Sequence, residues 1–110
     1  MSLIKEIEVT ELAQLKENGE TVRVIDIRQP AELNSGVIPG AEALPMHTIP
    51  LRISEFKQDE KLIMVCRSGA RSAQACMFMQ QHGYENVFNL RGGMMAWAGS
   101  GFELGLPQAV

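Results

Sequence analysis

The sequence has no uninterrupted apolar run longer than five residues, the length of Leu62–Cys66. A membrane-spanning helix needs roughly 20, so no transmembrane segment is expected. A basic surplus is missing too: ten lysines and arginines face thirteen aspartates and glutamates, for a net charge of −3. With no stripe of cations to track a phosphate backbone, neither nucleic acid nor membrane is expected as a partner. Cysteine is scarce. Cys66 and Cys76, ten positions apart, make no disulfide framework in a chain of this size, and reduced thiols are expected. Together with His47 and His82 they show no zinc-type ligand spacing, and no metal is expected. No basic–apolar–small leader opens the chain, so the expected compartment is the cytoplasm. Repeats, low-complexity tracts and linker-like stretches are also lacking, which predicts one domain over residues 1–110.

What is present reads as strands alternating with helices. Ile4–Val9 is a short strand or an extended entry. Thr10 is the predicted N-cap of a helix over Glu11–Asn18, stopped by Gly19. Val22–Ile27 is a short β-branched strand. Pro30 opens a brief helix through Leu33, Pro39–Gly40 marks a turn, and Ala43–Leu44 is a short strand. His47–Phe56 has helical spacing interrupted by Pro50. Leu62–Cys66 is the central buried strand, Ala70–His82 the best helix, and Val87–Leu90 the last strand, with a short helix after Gly92–Gly93 through Trp97. This alternation predicts an α/β fold with a mainly parallel central sheet flanked by helices on both faces. Ligands of such folds lie beyond the carboxyl ends of strands.

Lys61–Ala73, KLIMVCRSGARSA, puts a cysteine at that place. Cys66 ends a strand, a short turn follows, and a helix begins. Backbone N–H groups converge there, the helix dipole is positive, and Arg67 and Arg71 add two cations. Thiolate, the nucleophile, is favoured over thiol in such surroundings. Ser68, Gly69 and Ala70 complete a backbone cradle for an anion, Gly69 allowing the close approach. Arg67 is read as a substrate contact. For Arg71 two roles stand open, binding the substrate or locking the loop against a carboxylate. The bland alternative for Cys66 is a packed core thiol, the reading preferred for Cys76.

The flanking motifs make the pattern specific. VIDIRQPAELNSGVIPGAEALP (Val24–Pro45), VCRSGARSAQA (Val65–Ala75) and GYENVFNLRGGMMAW (Gly83–Trp97) together resemble the single-domain rhodanese, or thiosulfate sulfurtransferase-like, family. The resemblance implies a three-layer rhodanese-like domain and a persulfide-forming cysteine at Cys66, with loop amides over Arg67–Arg71 surrounding the sulfur. It implies an anionic sulfur donor such as thiosulfate, an acceptor that is cyanide, a small thiol or a thioredoxin-like protein, and no organic cofactor. Asp26 and Arg28 match the family's strand-end D-x-R and are given structural work together with Glu32. Arg28 and Glu32, four apart across a helix start, are expected to pair, and Asp26 to tie neighbouring loops. Where the family often has His, this chain has Val37.

Loop length frames one alternative. Cysteine phosphatases and arsenate reductases place five residues between Cys and Arg, enough to encircle a tetrahedral oxyanion, whereas four separate Cys66 from Arg71. The other alternative is a catalytically idle binding module of the same fold, against which Cys66 itself speaks. Of seven methionines, Met64 is expected in the core, and Met94 or Met95 at an apolar rim of the active-site mouth or packed beneath Trp97.

Overall fold

Five short strands form one parallel sheet in the order β1-β5-β4-β2-β3 in the computed structural model, which describes residues 4–107. They are β1 (Lys5–Ile7), β2 (Arg23–Asp26), β3 (Glu42–Ala43), β4 (Leu62–Val65) and β5 (Val87–Leu90). β4 lies in the middle and all four of its residues are buried. Its neighbours fix the register: Asp26 pairs with Val65, and Met64 with Asn89. The carboxyl ends of β2, β4 and β5 are thereby brought side by side.

Strand alternation divides the core into two layers, because successive side chains point to opposite faces. On one face Val24, Ile63, Val65 and Leu90 pack with Leu12, Met94 and Trp97. These last belong to α1 (Val9–Glu17) and α5 (Gly93–Gly99). On the other face Ile25, Leu62, Met64 and Val87 meet Ile49 of α3 (Ile49–Arg52) and Ala75, Cys76 and Met79 of α4 (Ala70–Gln81). The short helix α2 (Pro30–Leu33) follows β2. This is the three-layer α/β arrangement that the alternation predicts. No helix among the described residues is long and apolar enough to cross a membrane.

Several boundaries differ from the sequence reading. Helix α1 starts at Val9 with Glu8 as N-cap, not at Glu11 with Thr10. Glu11 accepts the Glu8 backbone N–H at 3.2 Å in a capping box, which lets Val9 turn its side chain into the core. His47–Phe56 is three pieces instead of one helix: a 3-10 turn over Met46–Thr48, α3, and another 3-10 turn over Ile53–Glu55. Pro50 falls in the first turn of α3, where its missing N–H costs nothing, so it starts that helix. β3 is Glu42–Ala43, one residue earlier than expected. The segment after Ser100 has a use: Gly105 bridges Val37, and the Trp97 indole donates to the Glu103 carbonyl at 2.8 Å.

Candidate active site

Cys66 follows the last residue of β4, and α4 begins four residues later. Gly69 makes the connection as N-cap of α4, with φ of 99°, a left-handed conformation that glycine adopts without strain. A side chain there would also press on Gly92 N at 3.3 Å and the Leu90 carbonyl at 3.4 Å. The loop so formed turns its donors toward the sulfur. Cys66 Sγ accepts from Gly69 N–H at 3.1 Å, Ser72 N–H at 3.4 Å and Ser72 Oγ at 3.2 Å.

The outward side of the loop is held by α5. Met94 N–H donates to the Cys66 carbonyl at 2.9 Å and Met95 N–H to the Arg67 carbonyl at 3.0 Å. The free N–H groups of one helix start thus consume the carbonyls of the loop, leaving the loop's own N–H groups for the sulfur. Close contact is needed, and Gly93 supplies it: a Cβ at that position, where φ is 55°, would overlap the carbonyl oxygens of Cys66 and Arg67.

Two opposing effects set the acidity of Cys66. Burial pushes the thiol up. Hydrogen bonds from Ser72 Oγ and from the N–H groups of Ser72, Gly69 and Ser68 outweigh it, and the pKa ends below its usual value. The leading causes are therefore loop donors rather than the arginines that the sequence put beside the cysteine. Cys76, buried in α4 without such donors, is pushed up to about 12, mainly by burial.

Arg71 binds Glu32 through both terminal nitrogens, at 2.8 Å each, which clamps α4 to α2. Arg28 is not Glu32's partner, contrary to the spacing argument. It pairs with Asp26, Nη2 to Oδ2 at 2.8 Å and Nε to Oδ1 at 2.9 Å, both side chains almost wholly buried. Arg28 also donates to the carbonyls of Glu32 and Gly36. The expected ties between loops are therefore made by Arg28, with Asp26 holding it in place. The reason is geometric: Arg28 sits at the strand end and reaches back to Asp26, while Glu32 projects across to α4. Arg67 is exposed, and its guanidinium has no ion-pair or hydrogen-bond partner among the described residues. It lines an open groove of about 370 Å³ with Met94, Met95, Ala98 and Leu104. Met95 and Leu104 are 59% and 44% exposed and form an apolar rim, whereas Met94 is buried. Ser68 and Ala70, in the same loop, are exposed. Val37, where the family often has His, is buried core.

The Glu32–Arg71 clamp gives a pH signature. The Arg71 guanidinium, aided by the Gln29 N–H, lowers the Glu32 carboxyl from its ordinary 4.5 to about 2. A depressed folded-state value stabilises the fold above the ordinary value and loses that contribution as pH falls through the depressed one. The melting-temperature gap between wild type and Glu32→Gln is therefore expected to be constant above pH 5 (roughly) and to close toward pH 2. A gap independent of pH would show that the ionised clamp contributes nothing.

Two residues at the site escaped the sequence reading, Ser72 and Asn89. Ser72 lies in the first turn of α4 and is fully buried against Sγ. Asn89 is a polar residue in the strand VFNL, 2% exposed, and it donates to the Gly69 carbonyl at 3.1 Å. An amide inside an otherwise apolar strand was the available signal, since a buried amide must have partners.

A buried cysteine ringed by amides, between a central parallel strand and a helix, defines a class of α/β proteins that hold a sulfur in a backbone cradle. The model of the rhodanese-like domain matches residues 8–100, and the chain belongs to the rhodanese-like domain family. It is 47% identical over 106 residues to a sulfurtransferase of Allochromatium vinosum, covering 96% of this chain and 99% of that one. It is 33% identical over 97 residues to a thiosulfate sulfurtransferase, GlpE, of Shewanella oneidensis, covering 88% and 95%. A rhodanese-like domain protein from Staphylococcus aureus, solved by crystallography, superposes with a TM-score of 0.85 at 33% identity, covering 96% and 100%.

Proposed function

We propose that this protein is a sulfurtransferase that moves a sulfane sulfur from thiosulfate, or a persulfide donor, to a thiol or cyanide through a persulfide on Cys66. The observation that carries the reading is the ring of donors 3.1–3.4 Å from Sγ. The named relatives support sulfurtransferase activity in general.

The Cys66 thiolate attacks the outer sulfur of thiosulfate. The sulfur–sulfur bond of the donor breaks, and its electron pair leaves with sulfite. Cys66 now carries one extra sulfur, about 2 Å beyond Sγ. That distance brings a buried cysteine's cargo toward the mouth lined by Ser68 and Arg67. Loop N–H groups stabilise the terminal negative charge as an oxyanion hole does. An acceptor thiolate then attacks the outer sulfur and leaves as its own persulfide, returning Cys66 as thiolate. Two half-reactions on one nucleophile give ping-pong kinetics. The Arg67 guanidinium, without a protein partner among the described residues, is free to meet the anionic donor. Arg71 acts as the lock on the loop, since Glu32 occupies both of its terminal nitrogens.

That engagement also weighs against phosphate chemistry, which would require Arg71 to face the oxyanion. Thiosulfate and an aryl phosphate assayed side by side test the reading. Sulfite release, with a gain of one sulfur mass on the intact protein reversed by cyanide, is the expected result. Phosphate release without sulfur loading would overturn it.

The rim concerns the acceptor. Met95→Gln, which removes apolar contact without adding charge, is expected to slow transfer to a protein thiol by about tenfold. Loading from thiosulfate stays unchanged. Equal slowing of both half-reactions would show that Met95 does not distinguish the acceptor.

A further inference from the structure

Ser72 has one hydroxyl hydrogen and two acceptors within reach, Sγ of Cys66 at 3.2 Å and Oδ1 of Asn89. The orientation of the Asn89 amide is fixed. Its Nδ2 lies 3.0 Å from Glu6 Oε2 and 3.1 Å from the Gly69 carbonyl, groups that accept, so Oδ1 must be the atom facing Ser72. Ser72 and Asn89 are 0% and 2% exposed, so bulk solvent does not make good a lost bond.

The two protonation states of Cys66 use this chain differently. As a thiol, Sγ–H donates to Ser72 Oγ, which donates onward to Asn89 Oδ1, and every group is satisfied. A thiolate only accepts. It takes the single Ser72 hydrogen, and Asn89 Oδ1 is then left facing lone pairs. Ionisation of Cys66 thus costs a buried hydrogen bond one residue away.

We infer that Asn89, acting through Ser72, is a positioning residue that holds the Cys66 thiol less acidic than its loop alone would make it. Its use in catalysis rests on the sulfur-transfer reading. Intrinsic nucleophilicity falls as thiol pKa falls, and the best attacking thiol has a pKa near the working pH. A cradle of unopposed donors would make a thiolate that is abundant but sluggish. In the persulfide the charge lies on the outer sulfur, and the inner sulfur releases the Ser72 hydrogen to Asn89. Loading therefore restores the bond that ionisation broke, which favours the loaded form over the bare thiolate.

The loop and the elements next to it carry other ionisable groups. Arg67 lies in the loop and Arg71 and Cys76 on α4. Asp26 and Arg28 stand at the end of β2, Glu32 on α2 and Glu6 on β1. Arg71 is held by Glu32, Arg28 by Asp26, and Glu6 accepts from Asn89. Apart from the Glu6 contact, none of these is altered by substituting Ser72 or Asn89.

The thiol is titrated by the ultraviolet absorbance of its thiolate in the full chain, taken as the difference from Cys66→Ser in a Cys76→Ala background. Ser72→Ala is expected to raise the midpoint by about one pH unit, the worth of a hydrogen bond to a charged group. Ser72→Thr, which keeps a hydroxyl, returns it toward wild type. Asn89→Ala is expected to lower the midpoint by about half a unit, and Asn89→Leu, which keeps the volume, to do the same. Neither Asn89 substitution moves it further when Ser72 is alanine. A rise or no change in both Asn89 variants, or an equal shift in both Ser72 backgrounds, would overturn the inference, because a merely structural amide acts whether or not Ser72 has a hydrogen. The titration reads the thiol itself, so its outcome is separate from whether thiosulfate loads the protein.

Discussion

Cys66→Ser is expected to lower sulfur transfer by at least about three orders of magnitude, the scale on which enzymes lose rate with their nucleophile. After exposure to thiosulfate the variant's intact mass should be unchanged. The substitution is nearly isosteric, and the donors from Gly69 and Ser72 have an oxygen to meet instead of a sulfur, so the loop has no reason to open. What disappears is the chemistry. A serine hydroxyl ionises far above the range in which these hydrogen bonds depress the Cys66 thiol, and oxygen cannot form the sulfur–sulfur bond that carries the cargo. Cys76→Ala is the matched control. That thiol is held near 12 by burial and carries no thiolate at working pH, and although it shares a core cluster with Cys66 it accepts none of the loop's hydrogen bonds. Sulfur loading retained by Cys66→Ser, or lost only in Cys76→Ala, would sink the assignment of the nucleophile.

Arg28→Ala is expected to cost about 3–5 kcal/mol, because it leaves a buried carboxylate without its partner. Asp26 is 1% exposed and gives both oxygens to Arg28. Removing the guanidinium also strips donors from the carbonyls of Glu32 and Gly36. Against a typical total of about 5–15 kcal/mol, that is a large fraction of the fold's stability. In a domain of this size the melting temperature should fall by about 10–20 °C. A double variant, Asp26→Asn with Arg28→Met, removes both charges and is expected to recover most of the loss, since the penalty belongs mainly to the orphaned charge. Calorimetry on the three proteins checks this. A loss of less than about 1 kcal/mol in Arg28→Ala would mean that the pair is solvated in solution, as exposed pairs of that worth are.

The elements most legible in the sequence were those in which local pattern and tertiary context agree. β4 reads as a buried strand from LIMV alone, α4 has a long helical run between two glycines, and Pro30 marks the start of α2. Less legible were segments settled by a contact distant in sequence. Glu8 displaces Thr10 as the cap because Val9 is needed in the core. Near Pro50 the chain forms three short turns whose last two carbonyl ends are held by the Tyr84 hydroxyl, 2.8 Å from Ile53 O and 3.0 Å from Phe56 O. Nothing within residues 46–56 announces a tyrosine arriving from beyond α4.

The active site divides along the same line. By itself the sequence determined the candidate nucleophile, its place at the end of a strand and the size of its loop, because those depend on residues within six positions of one another. Tertiary structure alone decided who holds that loop. Arg71 finds Glu32 across 39 residues, and Ser72 finds Asn89 across 17. Spacing along the chain suggested Arg28 with Glu32, but a parallel sheet sets partners by which strand ends lie side by side. The order β5-β4-β2 brings Asn89, Cys66 and Asp26 to one edge. Local pattern can place a cysteine where amides converge. Which hydrogen bonds tune its acidity depends on neighbours that only the folded sheet brings together.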